Sequence, residues 1–307
     1  MLNITTNEKN QIKKEEIKQL ISEKLNQLEE LEKGSIYIKQ LSEIALLQIE
    51  IEKFDDAENN IKLCLTHFIK QKDRLGQASA LGLLGTLNMK RINYHEAIDY
   101  YRKALKIYSE LNQKMEEIVC LKSIGNCYLN LNNLDKANDI FLECSELSSN
   151  QDDIYSFLDC LGYLIRIYEE KGNEELLYEL YQKSLKAFQE IKDQKGIIIS
   201  YYNMGILKKR MSNYQDALLN FKKGTNRAID ANFAELIIRG LSYVGESLFH
   251  LGKIKEASYQ YIRALDLAER VKAKNAKIQI NIILKSFGLS EKKIEKMLED
   301  YRNKKSK

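Results

Sequence analysis

The 307-residue sequence has no proline, no tryptophan and only three histidines. Because proline is the residue that most often breaks a helix, its absence allows long helices throughout the chain. No apolar run approaches the length that a bilayer-spanning helix needs, and residues 1–11 lack the apolar core of a signal peptide. We therefore expect a cytoplasmic protein with no membrane contact.

The cysteines and histidines do not form the pattern of a metal or redox site. No Cys-x-x-Cys pair and no Cys/His ligand spacing occurs, and the histidines are scattered. The five cysteines are Cys64, Cys120, Cys127, Cys144 and Cys160. They stand where the repeat described below prefers small residues, so we expect buried free thiols and neither a metal nor a cofactor.

Local catalytic patterns are also missing. The glycines do not gather in a phosphate-binding loop, and no nucleophile elbow occurs. Carboxylate pairs such as Asp55-Asp56 and Asp152-Asp153 lie at predicted turns or helix ends, where they are most simply solvated. An enzyme would require distant residues to converge in space, so we expect no catalytic activity.

What the sequence does contain is a block that recurs every forty residues. In one copy, Leu84-Gly85 is followed by Ala97, Tyr101 and Ala104. The other copies read Ile44-Ala45, Ala57, Ile61 and Cys64; Ile124-Gly125, Ala137, Phe141 and Cys144; Leu164-Ile165, Leu177, Tyr181 and Ser184; Met204-Gly205, Ala217, Phe221 and Gly224; and Val244-Gly245, Ala257, Tyr261 and Ala264. A fixed period of this size is typical of a solenoid, in which each unit buries its apolar face against its neighbours.

Each block predicts a pair of helices joined by a short polar turn. The glycine or alanine of the first helix allows its partner to cross closely. The second helix places a small residue, an aromatic residue and another small residue at positions i, i+4 and i+7, which share one face. We expect the ring to fill the space between the two helices.

The stretch from Ala78 to Leu111 resembles a tetratricopeptide repeat (TPR). The family pattern of leucine-glycine, tyrosine, alanine, aromatic and alanine is matched by Leu84-Gly85, Tyr94, Ala97, Tyr101 and Ala104. The six copies together cover about residues 38–273, and the copy around Ile165 departs furthest, with Leu177 in place of the alanine. The resemblance implies an all-α fold: a right-handed superhelix of helical hairpins with N- and C-terminal capping helices.

The forty-residue period is longer than the family's usual thirty-four. Without the proline that usually closes the second helix, both helices can run on. The sequence therefore resembles the long-helix subclass found in kinesin light chains, MalT-type regulators and Rap-type peptide receptors. We predict a capping helix in 1–33, six TPR units in 34–273, and a degenerate seventh unit with a cap and basic tail in 274–307.

The N-terminal segment leaves two alternatives open. Residues 7–32 predict an amphipathic helix whose apolar stripe comprises Ile17, Leu20, Ile21, Leu25, Leu28 and Leu31. We favour a cap on the first repeat, because a solenoid needs its exposed end covered. The alternative is a coiled-coil dimerisation helix, for which four turns are few.

The resemblance also implies a binding surface, because the concave wall of a TPR superhelix is lined by first helices. The residues that fall on the corresponding positions and that we select are Lys122, Asn126, Tyr163, Arg166, Tyr202, Asn203, Arg210, Arg239 and Tyr243. Amides can pair with a peptide backbone, and arginine forks onto carboxylates. Lys122 and Asn126 match part of the carboxylate clamp of chaperone-binding TPRs, but Asp159 and Tyr163 replace its next members.

Three functional hypotheses follow. The first is a non-catalytic scaffold or adaptor that binds a protein or peptide partner in the groove. The alternative is a peptide- or effector-sensing receptor of the Rap or MalT type, although 33 residues before the first repeat cannot hold a helix-turn-helix domain. The third is an enzyme. Residues 272–307 are basic but lack interleaved aromatics, so we do not expect nucleic-acid binding. The sequence defines neither the partner nor the oligomeric state.

Overall fold

The computed structural model describes residues 6–29, 31 and 34–305, and in this part of the chain it contains helices and no strand. The helices are α1 (Thr6–Glu29), α2 (Ser35–Glu50), α3 (Phe54–Lys70), α4 (Arg74–Lys90), α5 (Tyr94–Glu110), α6 (Lys114–Asn130), α7 (Leu134–Asn150), α8 (Ile154–Lys171), α9 (Glu174–Glu190), α10 (Gln194–Arg210), α11 (Tyr214–Asp230), α12 (Ala234–His250), α13 (Ile254–Arg270), α14 (Lys274–Ser286) and α15 (Glu291–Lys305). The all-α prediction is confirmed.

A regular turn separates the helices. The middle residue of each turn between α2 and α14 has left-handed backbone, with φ between 55° and 76°. Across left-handed Ile92, the amide of Asn93 donates to the carbonyl of Asn88 over 2.9 Å, which satisfies a carbonyl at the end of α4. This turn ends a helix without proline, which explains how a proline-free chain keeps a strict period.

The backbone contacts divide the chain into two compact units, Met1–Cys160 and Leu161–Lys307. Within Met1–Cys160, each helix from α2 to α6 contacts the next one. Helix α1 packs Ile17, Ile21 and Leu28 into a cluster with α2 residues, as a cap would. Leu20 and Leu25 of the predicted stripe are exposed instead. Residues 1–5, 30, 32 and 33 of the predicted 1–33 cap lie outside the described residues.

Within Leu161–Lys307, each helix from α9 to α13 contacts the next one, and α14 and α15 both contact α13. Ile280 of α14 and Ile294 of α15 join a cluster with Ile262 and Leu265 of α13. Arg302 donates to Asp266 over 2.8 Å and to Glu269 over 2.7 Å, which fastens α15 to α13. The last two residues of the predicted 274–307 segment, 306 and 307, lie outside the described residues.

The repeat glycines lie buried at helix crossings, as predicted. A Cβ built on Gly125 would lie 2.6 Å from the ring of Phe141, and one on Gly205 would lie 2.5 Å from the ring of Phe221. Gly85 and Gly245 meet their own repeat tyrosines in the same way, at 2.7 Å. A real Cβ almost never approaches another atom so closely, so the aromatic ring occupies the space that glycine leaves.

Candidate functional site

The structure places the predicted site residues in two separate units. Lys122 and Asn126 lie on α6, in Met1–Cys160; Tyr163 and Arg166 lie on the part of α8 in Leu161–Lys307. Asn203 and Arg210 lie on α10, and Arg239 and Tyr243 lie on α12.

Lys122 already has an acidic partner. Its Nζ donates to Asp159 Oδ2 over 2.6 Å, which links α6 to the start of α8. Burial acts against the charge, but the hydrogen bond to Asp159 leaves the pKa of Lys122 above its usual value. Because a carboxylate of the next repeat, within the same compact unit, neutralises this lysine, Lys122 cannot serve as a clamp for a carboxyl terminus without breaking that ion pair.

Within Leu161–Lys307, the predicted residues differ in exposure. Arg166, Arg210 and Arg239 are exposed, whereas Tyr163 and Asn203 are half-buried. Lys209, next to Arg210, donates to both carboxylate oxygens of Glu246 over 3.0 Å and so ties α10 to α12. This ion pair holds the first-helix faces that carry Asn203 and Arg239 next to each other.

Tyr202 requires a correction, because it is a packing residue and does not face a ligand. Its side chain is only 3% exposed, and its hydroxyl donates to the carbonyl of Leu236 over 2.9 Å. Burial raises its pKa to about 12. Gly224 and Gly240 make this possible, because a Cβ on either glycine would collide with the Tyr202 ring or hydroxyl.

Tyr202 nevertheless packs against another of the predicted site residues, Tyr243. The ring of Tyr243 lies edge-on to that of Tyr202, with centroids 5.6 Å apart, and stacks on Phe221 at 4.7 Å. Two rings therefore fix the Tyr243 side chain while leaving it half-buried at the surface.

Arg239 and Tyr243 line an open groove between α12 and α14, which we call the α12/α14 groove. Its volume is about 760 Å³. The lining consists of Ala234, Glu235, Ile238, Arg239, Ser242, Tyr243, Val271, Ala273, Ala276, Gln279, Ile280 and Ile283. Arg239 donates to Glu235 over 3.0 Å, but both side chains stay exposed, so a ligand carboxylate could compete for the arginine. Apolar walls with a few polar groups suit a peptide side chain and its backbone.

The sequence did not predict a second groove, which lies within Met1–Cys160 and which we call the α4/α6 groove. Its volume is about 330 Å³. The lining consists of Ser79, Gly82, Leu83, Thr86, Tyr101, Tyr108, Met115, Glu116, Val119, Cys120, Ser123, Asp153 and Ser156. One signal in the sequence could have pointed to this surface: apolar residues recur at the repeat period at Leu75, Met115 and Tyr155, of which Met115 lines the groove.

The described helices offer neither a metal-ligand cluster nor a membrane span. Within residues 6–29, 31 and 34–305, no group of three or more His, Cys, Asp or Glu side chains is placed to hold a metal ion. In the same residues, no helix combines the length and the apolar character that a membrane span requires.

Comparison with known proteins agrees with this architecture. Residues 76–150 match the family model of the tetratricopeptide repeat. The predicted resemblance to TPR proteins is confirmed, and the fold is that of the TPR-like solenoids.

Particular proteins resemble larger parts of the chain. A TPR repeat-containing protein of Methanocaldococcus jannaschii is 24% identical over 215 residues, which is 67% of this chain and 35% of that protein. The regulatory protein RapD of Bacillus subtilis is 23% identical over 157 residues, 48% of this chain and 44% of RapD. The chain thus spans less than half the length of these relatives. Among solved structures, the apo form of RapI superposes with a TM-score of 0.63, at 14% identity, over 95% of this chain and 86% of RapI.

Proposed function

We propose that this protein is a non-catalytic interaction scaffold that binds a peptide or a helix of a partner protein against its first helices. The TPR-like fold points to a protein-interaction scaffold or regulator. The observation that carries the finer proposal is the α12/α14 groove, where Arg239 and the fixed ring of Tyr243 stand beside apolar residues of both helices.

The chemistry of this groove suits a peptide better than a small polar metabolite. Ile238, Ile280 and Ile283 offer apolar surface to a side chain, while Ser242 and Gln279 offer hydrogen bonds to a backbone. Arg239 can fork onto a carboxylate of the same ligand. We retain Asn203 and Arg210 on α10 as further contacts of this unit, and Lys122, Asn126, Tyr163 and Arg166 as proposed contacts in their own units.

The test is capture of partners by a variant, called the groove variant, that truncates Arg239 of the α12/α14 groove and the proposed contact Asn203 on α10. Asn203→Ala combined with Arg239→Ala should weaken partner binding by about 2 kcal/mol or more if these residues are hot spots. Binding is measured by pull-down followed by titration of the captured partner, with circular dichroism to check the fold. Tyr202 is left intact, because its removal would damage the core.

A matched control changes two exposed residues on second helices, Gln182→Ala on α9 and Lys222→Ala on α11. This control should keep full binding. The proposal fails if the groove variant retains its partners and the control variant loses them.

The alternative function is a peptide- or effector-sensing regulator, which the sequence similarity to the regulatory protein RapD favours. A sensor must change its conformational equilibrium when its ligand binds. Hydrogen exchange distinguishes the two functions: a scaffold should gain protection only at the groove, whereas a sensor should also change exchange in helices that do not contact the ligand.

A further inference from the structure

An exposed apolar ladder runs along the first helices of Met1–Cys160. Leu75, Met115 and Tyr155 are each the second residue of their helix, in α4, α6 and α8. Their exposed fractions are 48%, 52% and 72%. Val119, one turn after Met115, is 60% exposed. Three large apolar side chains exposed at one repeat position, with Val119 one turn further along α6, form the kind of surface that marks an interaction site.

The ladder borders a groove with a shaped floor. Met115 and Val119 both line the α4/α6 groove. Tyr101 supports the floor, because its hydroxyl lies 3.0 Å from the hydroxyl oxygen of Thr86 and shares a hydrogen bond with it. Gly82 lines the same groove, and a Cβ built on it would meet no atom within 4 Å. The space above Gly82 is therefore open to a side chain of a ligand.

The charges at this groove have one sign. Its lining contains the carboxylates of Glu116 and Asp153 and no lysine or arginine. The nearest cations of α6 are engaged elsewhere: Lys114 donates to Glu117 over 2.8 Å, and Lys122 donates to Asp159 over 2.6 Å. Beyond burial, Glu116 adds to the rise in the pKa of Tyr108, so its charge is felt at the groove. A ligand that complements this lining carries positive charge.

The spacing between the residues of the ladder places a second requirement on the ligand. Helices α4 and α6 contact each other directly, and packed helices lie about 8–10 Å apart. A helical ligand with apolar residues seven positions apart repeats every ~10.5 Å. Such a ligand would present one apolar side chain to Leu75 and the next to Met115, on the two helices that contact each other.

We propose that the ladder and the α4/α6 groove bind a basic amphipathic helix of a partner protein, with its apolar side chains on Leu75, Met115 and Tyr155 and a lysine or arginine near Glu116. The inference rests on the proposed scaffold function. The proposed site uses only residues of Met1–Cys160, whereas the α12/α14 groove lies within Leu161–Lys307.

The experiment compares two synthetic 21-residue helical peptides with identical leucines at seven-residue spacing. One peptide carries Lys and Arg at the helix positions that flank the leucines, and the other carries Glu at the same positions. Binding to the full chain is followed by fluorescence anisotropy in low salt. The basic peptide should bind at least tenfold more tightly than the acidic one. Equal binding of both peptides, or no binding of the basic one, would overturn the proposal.

Variants then locate the site. Met115→Gln with Tyr155→Gln should weaken binding of the basic peptide at least tenfold. Glu116→Gln should reduce the ratio between the affinities for the basic and the acidic peptide, and it should also reduce the salt dependence of binding. The matched control, Leu63→Gln with Ile69→Gln, alters two side chains of α3 that are 50% and 57% exposed. It should bind normally; a loss equal to that of the ladder variant contradicts the assignment.

A further variant separates this inference from the proposed function. Asn203→Ala with Arg239→Ala should leave binding of the basic peptide unchanged, because both residues lie in Leu161–Lys307. If this variant weakens the basic peptide as much as the ladder variant does, the ladder is not its binding site.

Discussion

The two compact units share one backbone plan but present different surfaces at the same repeat position. In Met1–Cys160 the second residue of α4, α6 and α8 is apolar: Leu75, Met115 and Tyr155. In Leu161–Lys307 the equivalent residues are Lys195, Glu235 and Asn275. Backbone and packing therefore follow the repeat, whereas this surface position varies freely. Function in such a chain resides in what departs from the repeat.

The two grooves differ in the same way. The α4/α6 groove holds the carboxylates of Glu116 and Asp153, whereas the α12/α14 groove pairs Glu235 with Arg239. One groove complements a cation, and the other can accept an anion at its arginine. First helices thus line two grooves of distinct chemistry.

Both units contain helix crossings at which a glycine packs against an aromatic ring, and filling either crossing should lower the stability of the fold. Gly125→Leu and Gly205→Leu each force a side chain into the ring of Phe141 or Phe221. We expect each substitution to destabilise the fold by several kcal/mol, at or beyond the upper end of the usual 1–3 kcal/mol for overpacking. Thermal or urea denaturation measures the loss, and an unchanged melting temperature in either variant would show that its crossing is not close-packed.

All five cysteines lie in Met1–Cys160, and all are buried. Burial raises the pKa of Cys127 to about 11, and burial with the nearby Glu116 raises that of Cys120 to about 12. A hydrogen bond with the Cys144 thiol, together with burial, keeps Cys160 protonated by raising its pKa. The same hydrogen bond lowers the pKa of Cys144, so the protection expected for all five thiols rests on their burial. Because the thiolate must be reached to react, a bulky thiol reagent should label the native protein at least about a hundredfold more slowly than the urea-unfolded protein. Rapid native labelling of Cys120 or Cys127 would contradict their buried placement.

The glycine on the groove side of α4 should behave opposite to the crossing glycines. Gly82 has open space around it, so Gly82→Ala should stabilise the helix by about 0.5–1 kcal/mol. Chemical denaturation detects the gain. If Gly82→Ala destabilises the protein as Gly125→Leu does, the open groove above it does not exist.

The smallest expected effect concerns the left-handed turn residues, which differ between the two units. Leu161–Lys307 uses Gly172 and Gly252 at two left-handed turn positions, whereas Met1–Cys160 has β-branched Ile92 there, with φ 67°. Because β-branched residues are strained in this conformation, Ile92→Gly should stabilise by about 0.5 kcal/mol, after the larger unfolded-state entropy of glycine is deducted. Gly252→Ile is the reciprocal variant and should destabilise. Equal stability of both variants with the parent would mean that these turns carry no strain.

The sequence predicted the fold well because helix crossings depend on local residue types. Gly125 and Phe141 are sixteen positions apart, and their contact follows from the hairpin alone. Tyr202 shows where such reasoning stops. Its repeat position predicts a ligand-facing side chain, but the missing side chains of Gly224 and Gly240 leave room into which the ring folds. Gly224 lies on the second helix of the same hairpin as Tyr202, but Gly240 lies on the first helix of the next hairpin. A rule based on the position of Tyr202 alone could not predict that both glycines leave room for its ring.

The candidate site was less predictable for a related reason. An ion pair such as Lys122–Asp159 joins residues of successive repeats, and only coordinates reveal that the two side chains meet. The α4/α6 groove likewise combines residues of three first helices and two tyrosines of α5. Whether an apolar residue is buried in the core or exposed on the surface depends on how the helices assemble, so the sequence pattern of one repeat does not determine it.

The twenty-residue step from turn to turn also governs how the chain acquires its structure. Within each unit, contacts run mainly between successive helices, so the sequence separation of contacting residues stays small however many hairpins are present. Proteins dominated by local contacts fold quickly, and in repeat arrays folding can begin at any hairpin and spread to its neighbours. Duplicating or deleting a forty-residue segment between two left-handed turn residues would preserve every type of helix contact, so the length of this protein can change in evolution without a new fold being invented.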